Sequence, residues 1–481
     1  MLAVVAFELG RPIAYVVLRE PCDVTLHITS QPDARSWSPL RRLGVPSLFA
    51  GLGYRASMDS DRARARVLDQ LHELEPWLVE TAADVVRRPS VSGTEGENEA
   101  QAHMSALFGE GGLDVDHWQI DLPQLTVHPD FPGMEVPRDE AWGLVGRLPG
   151  VGDGPSLMLN GHIDVVPIGD PDAWGASPFS GELREDRLFG RGACDMKAGL
   201  VAAHAAVQAV RRSEVRLRGD VLVASVQGEE DGGLGTFATL QRGWRADACV
   251  IPEPTDLDII PANSGALTFR LRVHGRATHA ARRTEGMSAI ERFWPVWHAL
   301  GELERRRHEA VDPLMTRWAL AHPISIGTVH AGDWASSVPD LLVAEGRLGV
   351  ALGEPIEQAR RQLEQSVAEA CADDPWLRDH PVEVEWWGGQ FAAGRLPPDS
   401  DLIDRVRAAH QAVNGGPLDV YGAPYGSDLR LLTGLGGVPS VQYGPGDAML
   451  AHGPLESVPI EQVLTTARTL AALIVDVCGV A

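Results

Sequence analysis

LMLNGHIDVVP, residues 157–167, carries a histidine and an aspartate inside an otherwise apolar run. Leu, Ile and Val dominate it and Pro167 stops it, which is the texture of a buried strand. Side chains two apart on a strand point to one face, so His162 and Asp164 are expected side by side, at or near its end. An imidazole beside a carboxylate in such a place needs a chemical reason.

Outward from this strand, helices and strands alternate. DMKAGLVAAHAAVQAVRR reads as a helix, GDVLVASVQ and ADACVIPEP as strands, the pattern of an α/β domain with a mainly parallel sheet. After Asn263 the texture changes. GALTFRLRVHG alternates like a half-exposed strand; a helix, two strands and a helix follow, an α+β unit inserted over 264–378. Residues 58–263 and 379–481 are then the two parts of the larger domain. Residues 1–57 show strand-like scraps without a clear period. They are expected to be a dispensable extension of doubtful order, with Met58 as an alternative translation start and the opening residue of a helix ended by Pro89.

The chain has 481 residues, too many for one compact core. Its net charge is −24, from 66 acidic against 42 basic residues. That excess disfavours nucleic acid and anionic membrane as partners, since both need a basic surface. Five scattered cysteines without a C-x-x-C pair fit a reducing cytoplasm rather than a disulfide framework. No apolar run is long enough to span a membrane, and the N-terminus lacks the basic flank of a secretion signal.

Several polar residues fall at expected strand ends. Asp195 precedes a helix in GRGACDMKAG, where a simple helix cap is the plain alternative. Glu229 and Glu230 end a strand in a glycine-rich loop, Glu253 lies between two prolines in IPEPT, and His452 sits in AHGPLE. Singly, each has a bland explanation as cap, surface acid or loop filler. Together, two imidazoles and several carboxylates at one sheet edge would repel strongly unless cations lay among them. Nitrogen and oxygen donors without thiolate suit zinc, with cobalt or manganese as other fits. Five ligands suit two ions with one shared carboxylate.

The motifs GHIDVVP, WGASPFSGELREDRLFGRGACDMKAG, QGEEDGGLGT, IPEPT, GSDLR and AHGPLE, in this order, resemble the dinuclear zinc amidohydrolases. That family includes acetylornithine deacetylase, succinyl-diaminopimelate desuccinylase, aminoacylase-1 and carboxypeptidase G. The resemblance runs from about residue 70 to the C-terminus. It implies a zinc-peptidase-like α/β domain interrupted by a smaller α+β lid, through which the family forms homodimers. It implies His162, Asp195, Glu230, Glu253 and His452 as ligands of two Zn2+, Asp195 bridging, and Glu229 as general base. Asp164 would fix the orientation of His162. His279, in THAARR of the lid, would hold the oxyanion in the partner subunit's site. Arg347, Arg430, Asn263 and Ser336 fall at positions near substrate.

Two details shape the expected activity. Glu253 stands where the family's aminopeptidases and dipeptidases tend to carry Asp, which favours deacylase or carboxypeptidase-like work. Ser336 stands where desuccinylases carry Asn, so the succinyl-diaminopimelate role does not transfer directly. The expectation is hydrolysis of a small N-acyl amino acid or related amide by a metal-activated water, in the cytoplasm. The rival readings are a carboxypeptidase or dipeptidase, and a non-catalytic metal-binding relative, against which the filled ligand and base positions argue.

Overall fold

A computed structural model describes residues 3–7, 13–19, 23–29 and 48–481, with side-chain surroundings from residue 59 onward. The chain falls into two compact units, Met1–Met58 and Asp59–Ala481.

Within the first unit, Ala3–Phe7, Ile13–Arg19 and Asp23–Thr29 pair antiparallel, with Val5 opposite Val16 and Val16 opposite Leu26. These strands fall within the strand-like stretches expected before residue 58, and their β-branched residues suit a pleated sheet. The rest of that expectation, over 1–2, 8–12, 20–22 and 30–47, lies outside the described residues. The following helix spans Leu48–Val86 rather than opening at Met58, since no proline interrupts residues 48–58. It stops short of Pro89, as expected.

The second unit is built on a nine-stranded mixed sheet. Its centre is parallel: Ser440–Gln442, Ala248–Ile251, Leu157–His162 and Val221–Val226 lie side by side in that order. Antiparallel strands flank this centre on both sides. Every residue of Leu157–His162 and Val221–Val226 is buried, which explains their largely apolar texture. Alternate residues serve opposite layers. Leu157, Leu159, Val221 and Val223 pack with Ala198–Arg212 and Ile460–Cys478. Met158, Leu222 and Ala224 pack with Phe237 and Leu240. The helix Ala198–Arg212 comes very close to the sheet. A Cβ built at Gly199 would stand 2.0 Å from the carbonyl oxygen of Pro252, so this position admits only glycine.

The inserted unit is a four-stranded antiparallel sheet in the order Ile324–Ala331, Leu341–Val350, Gly265–His274, Glu383–Phe391. Helices Ala289–Arg307 and Ile356–Asp373 complete its own apolar core. Its end at 378 needs correction, because Glu383–Phe391 is its fourth strand, with Leu271 opposite Val384. That pairing joins segments more than a hundred residues apart, which local periodicity cannot reveal. The chain re-enters the large sheet at Gly394–Arg395, beside Ala262 and Asn263. The α/β fold with a mainly parallel sheet and a smaller α+β insertion is thus as expected. No helix among the described residues is long and apolar enough to cross a membrane.

Candidate metal centre

The parallel strands deliver their polar residues to one edge. His162 is the last residue of its strand, Glu229 and Glu230 follow Val226, and Glu253 follows Ile251. All lie at carboxyl ends, where open α/β sheets place ligands. Asp195 reaches the same edge from the turn before Ala198–Arg212. Its backbone is non-helical (φ −119°, ψ 97°) and that helix has no side-chain cap, so the capping alternative fails. His452 arrives from the C-terminal loop with φ 62°.

These residues form two groups that share Asp195. His162, Asp195 and Glu253 make one; Asp195, Glu230 and His452 make the other; within each, donor atoms lie within 4.8 Å of one another. His162 Nε2 is 3.0 Å from Asp195 Oδ1 and 3.9 Å from Glu253 Oε2. His452 Nε2 is 3.1 Å from Glu230 Oε2 and 3.5 Å from Asp195 Oδ2. One carboxylate therefore offers a different oxygen to each group.

The electrostatics are those of crowded anions. Burial pushes the Glu229, Glu230 and Glu253 carboxyls above their usual range, and repulsion among neighbouring acids adds to it. The nearby Glu230 carboxylate lifts His452 to about 11. Burial pulls His162 down, but Asp195, Glu253 and Asp164 outweigh it and hold the ring well above its ordinary value. Such a set strains toward extra protons or a cation, and imidazole plus carboxylate donors fit zinc-type ions.

Asp164 departs from its expected role. His162 Nδ1 lies 2.9 Å from the main-chain carbonyl of Asp164, whereas the nearer carboxylate oxygen is 3.7 Å away. The strand ends at His162, so the two-apart rule no longer applies and the chain folds its carbonyl back under the ring. The carboxylate instead accepts the main-chain N–H of Glu229 and of Glu230, each at 3.3 Å, and the Ser92 hydroxyl at 3.0 Å. It orients the glutamate loop directly and the histidine only through its backbone.

The remaining expected residues separate. Arg430 is buried and donates to the carbonyls of Ser427 and Gly232 at 2.9 and 2.7 Å, with Phe391 under its guanidinium at 3.9 Å. It braces the loop after Glu230 and has no face turned to solvent. Asn263 is likewise buried, donating to the Ser264 carbonyl and accepting from the Ser427 hydroxyl. Arg347 donates to the Pro424 carbonyl at 3.1 Å, and burial lowers its pKa. His279 and Ser336 are exposed in the lid, where the Ser336 carbonyl accepts Ala280 N–H and His279 Nδ1 accepts Ala281 N–H. The structure brings neither into contact with the five candidate ligands.

Residues 158–476 match the model of Peptidase family M20/M25/M40. The chain belongs to this family. It is 28% identical over 416 residues to the N-formyl-4-amino-5-aminomethyl-2-methylpyrimidine deformylase of Bacillus subtilis, spanning 81% of this chain and 91% of that protein. It is 30% identical over 421 residues to a succinyl-diaminopimelate desuccinylase from Gluconacetobacter diazotrophicus, spanning 83% and 96%. Among solved structures, a dipeptidase from Saccharomyces cerevisiae superposes with a TM-score of 0.68 at 15% identity, over 85% of this chain and 98% of that one. At that identity the likeness concerns the fold alone. The M20/M25/M40 chain is a metal-dependent amidohydrolase.

In this M20/M25/M40 chain several buried polar residues around the centre escape a reading by motif. Glu456 and Arg191 are nearly inaccessible and paired at 2.5 Å. Lys197 is wholly buried, donates to the Arg88 carbonyl at 2.7 Å, and is pushed down to about 7 by burial. Arg138 bridges Glu97 and Asp231, the residue after Glu230, at 2.9 and 2.8 Å. Two of these carried a sequence signal: Arg191 stands between glycines four residues before Asp195, and Glu456 four residues after His452.

Proposed function

We propose that this chain hydrolyses the amide of a small N-acyl amino acid or related N-acyl compound at a centre for two zinc-type cations. Asp195 bridges them, His162 and Glu253 complete one pocket, and Glu230 and His452 complete the other. The observation that carries this reading is the pair of donor groups sharing Asp195. When bound, two such cations polarise an amide carbonyl and bring water near a pKa of ~7.

The chain's own residues do the rest. Glu229, buried beside the ligands and outside both groups, takes the proton of the attacking water and hands it to the leaving nitrogen. Asp164 holds Glu229 and Glu230 in register through their N–H groups. No carboxylate lies within 4.0 Å of the half-buried Arg347 guanidinium among the described residues, and its hydrogen bond goes to the Pro424 carbonyl. A half-buried guanidinium with a single carbonyl partner suits an anionic group on the substrate.

His279 belongs to the same scheme in a homodimer. Its Nε2 finds no partner within the described chain, while the lid exposes Trp294, Trp297 and Val329 at 61%, 45% and 47%. Exposed aromatics beside the unpaired edge strand Ile324–Ala331 support association through the lid, which would carry His279 to the other subunit's site. Four buried cysteines without disulfides are in keeping with a cytoplasmic location.

A panel of N-formyl, N-acetyl and N-succinyl amino acids, aminomethyl-pyrimidine formamides and dipeptides, read by release of free amine, tests the assignment. Turnover of N-acyl compounds is expected. Cleavage restricted to peptides would replace it with the peptidase reading.

A further inference from the structure

Two residues that touch no ligand side chain grip the backbone of the centre. Glu456 and Arg191 are 1% and 2% exposed. Glu456 Oε1 accepts the main-chain N–H groups of Gly192, Cys194 and Asp195 at 2.8, 3.1 and 3.2 Å. Its Oε2 receives Arg191 Nη1 at 2.5 Å. Arg191 Nη2 then donates to the carbonyls of His452 and Pro167 at 3.1 and 3.2 Å. Trp174 covers the guanidinium at 5.2 Å.

A buried charge pair is costly to desolvate and is weak evidence for stability in itself. What this pair connects is more telling. Gly192 is left-handed and Asp195 departs from helical backbone, and one carboxylate accepts the N–H groups of Gly192, Cys194 and Asp195 at this distorted turn. His452 has a left-handed backbone, uncommon outside glycine, and its carbonyl is held by the same ion pair. The two pockets do not depend on it equally. His162 ends a buried strand and Glu253 closely follows another, whereas His452 is 53% exposed on a loop.

We propose that Arg191 and Glu456 are positioning residues that set the second pocket, formed by Asp195, Glu230 and His452, and so govern the affinity of one cation of the two. The proposal rests on the two-cation reading above. The ion pair ties the Asp195 turn to the His452 loop and keeps both donors facing one point. Without the ion pair, His162 and Glu253 keep their strand-borne places and an acceptor at residue 456 can still hold the shared Asp195 turn, whereas the His452 loop loses the Arg191 contact that fixes it.

The test is a calorimetric Zn2+ titration of the metal-stripped chain with a competing chelator. It compares the native chain with Arg191→Met/Glu456→Gln. That double variant removes both charges together, and its amide oxygen can still accept the three N–H groups. The native chain should bind two ions. The variant should bind one with affinity within about threefold of native and the other about 10–100-fold more weakly, the usual cost of losing a supporting contact. Equal weakening of both ions would mark a merely structural pair and overturn the proposal, as would two unchanged affinities. A native chain taking fewer than two ions would instead remove the two-cation reading. If the double variant does not fold, Arg191→Lys, which keeps the charge but loses the planar fork, is read by the same criteria.

Discussion

At the carboxyl edge of the large sheet, polar side chains from five separate segments are within hydrogen-bond or ion-pair distance of one another. In the lid, His279 and Ser336 are exposed, and their two loops bond to each other rather than to the sheet edge. The first region is held by buried strands and by Asp164, Arg430 and the Arg191–Glu456 pair, so one chain assembles it. The second presents donors that one chain leaves unused. In the proposed scheme the sheet edge supplies its groups within one chain, whereas the lid supplies its histidine to a second subunit.

The sharpest break between the regions should come from Glu229→Gln. It is expected to lower kcat by a factor of ~10²–10⁴ while zinc content stays at the native level, since Glu229 lies outside both donor groups. Loss of metal with the substitution would show that the two adjacent glutamates have exchanged roles.

His279→Ala is expected to cost ~10²–10³ in kcat, the worth of one oxyanion donor. Mixing it with Glu229→Gln under subunit exchange sharpens the contrast. Half of randomly exchanged dimers are mixed and have one intact site, so about a quarter of native activity should return. With exchange verified, no recovery would place His279 in its own chain's site.

Arg347→Met should raise KM for an anionic substrate by roughly ten- to a hundredfold with little change in kcat, as loss of a charged hydrogen bond implies. Equal KM values for anionic and neutral substrates in the native chain would remove that role.

The last expected effect is on stability rather than turnover and concerns the scaffold. His204 lies between Trp77 and Phe108, with ring centroids at 5.7 and 4.9 Å, and burial pushes it down to about 4. The folded state keeps it neutral where the unfolded chain, near 6.5, binds a proton. Stability should therefore fall as pH drops from about 6.5 to 4, by about 3 kcal/mol from this group. His204→Met should flatten that part of the melting-temperature profile; an unchanged slope would show that His204 is not held neutral.

Much of the centre was legible because its donors sit where an apolar strand stops. His162, Glu230 and Glu253 stand out against Val and Ile, Asp195 lies between Gly192 and Gly199, and Gly453 follows His452. What escaped was the three-dimensional support. Asp164 lies beside His162 as expected, but its bonds to the N–H groups of Glu229 and Glu230 and to Ser92 join segments that no strand rule brings together. Arg430 looks like a substrate residue in GSDLR, yet its hydrogen bonds go to carbonyls brought from Gly232 and Ser427. The fourth lid strand depends on a long-range pairing, and of the strands before residue 30 Asp23–Thr29 alternates apolar and polar residues while Ala3–Phe7 and Ile13–Arg19 do not.

The central claim is that one carboxylate serves two cations. Metal content per chain, measured by mass spectrometry after reconstitution with zinc and exhaustive dialysis, tests it on the native chain and on Asp195→Ala. The account predicts two ions for the native chain and almost none for the variant, because each pocket loses its shared donor. An Asp195→Ala chain that keeps one tightly bound ion would contradict the shared carboxylate.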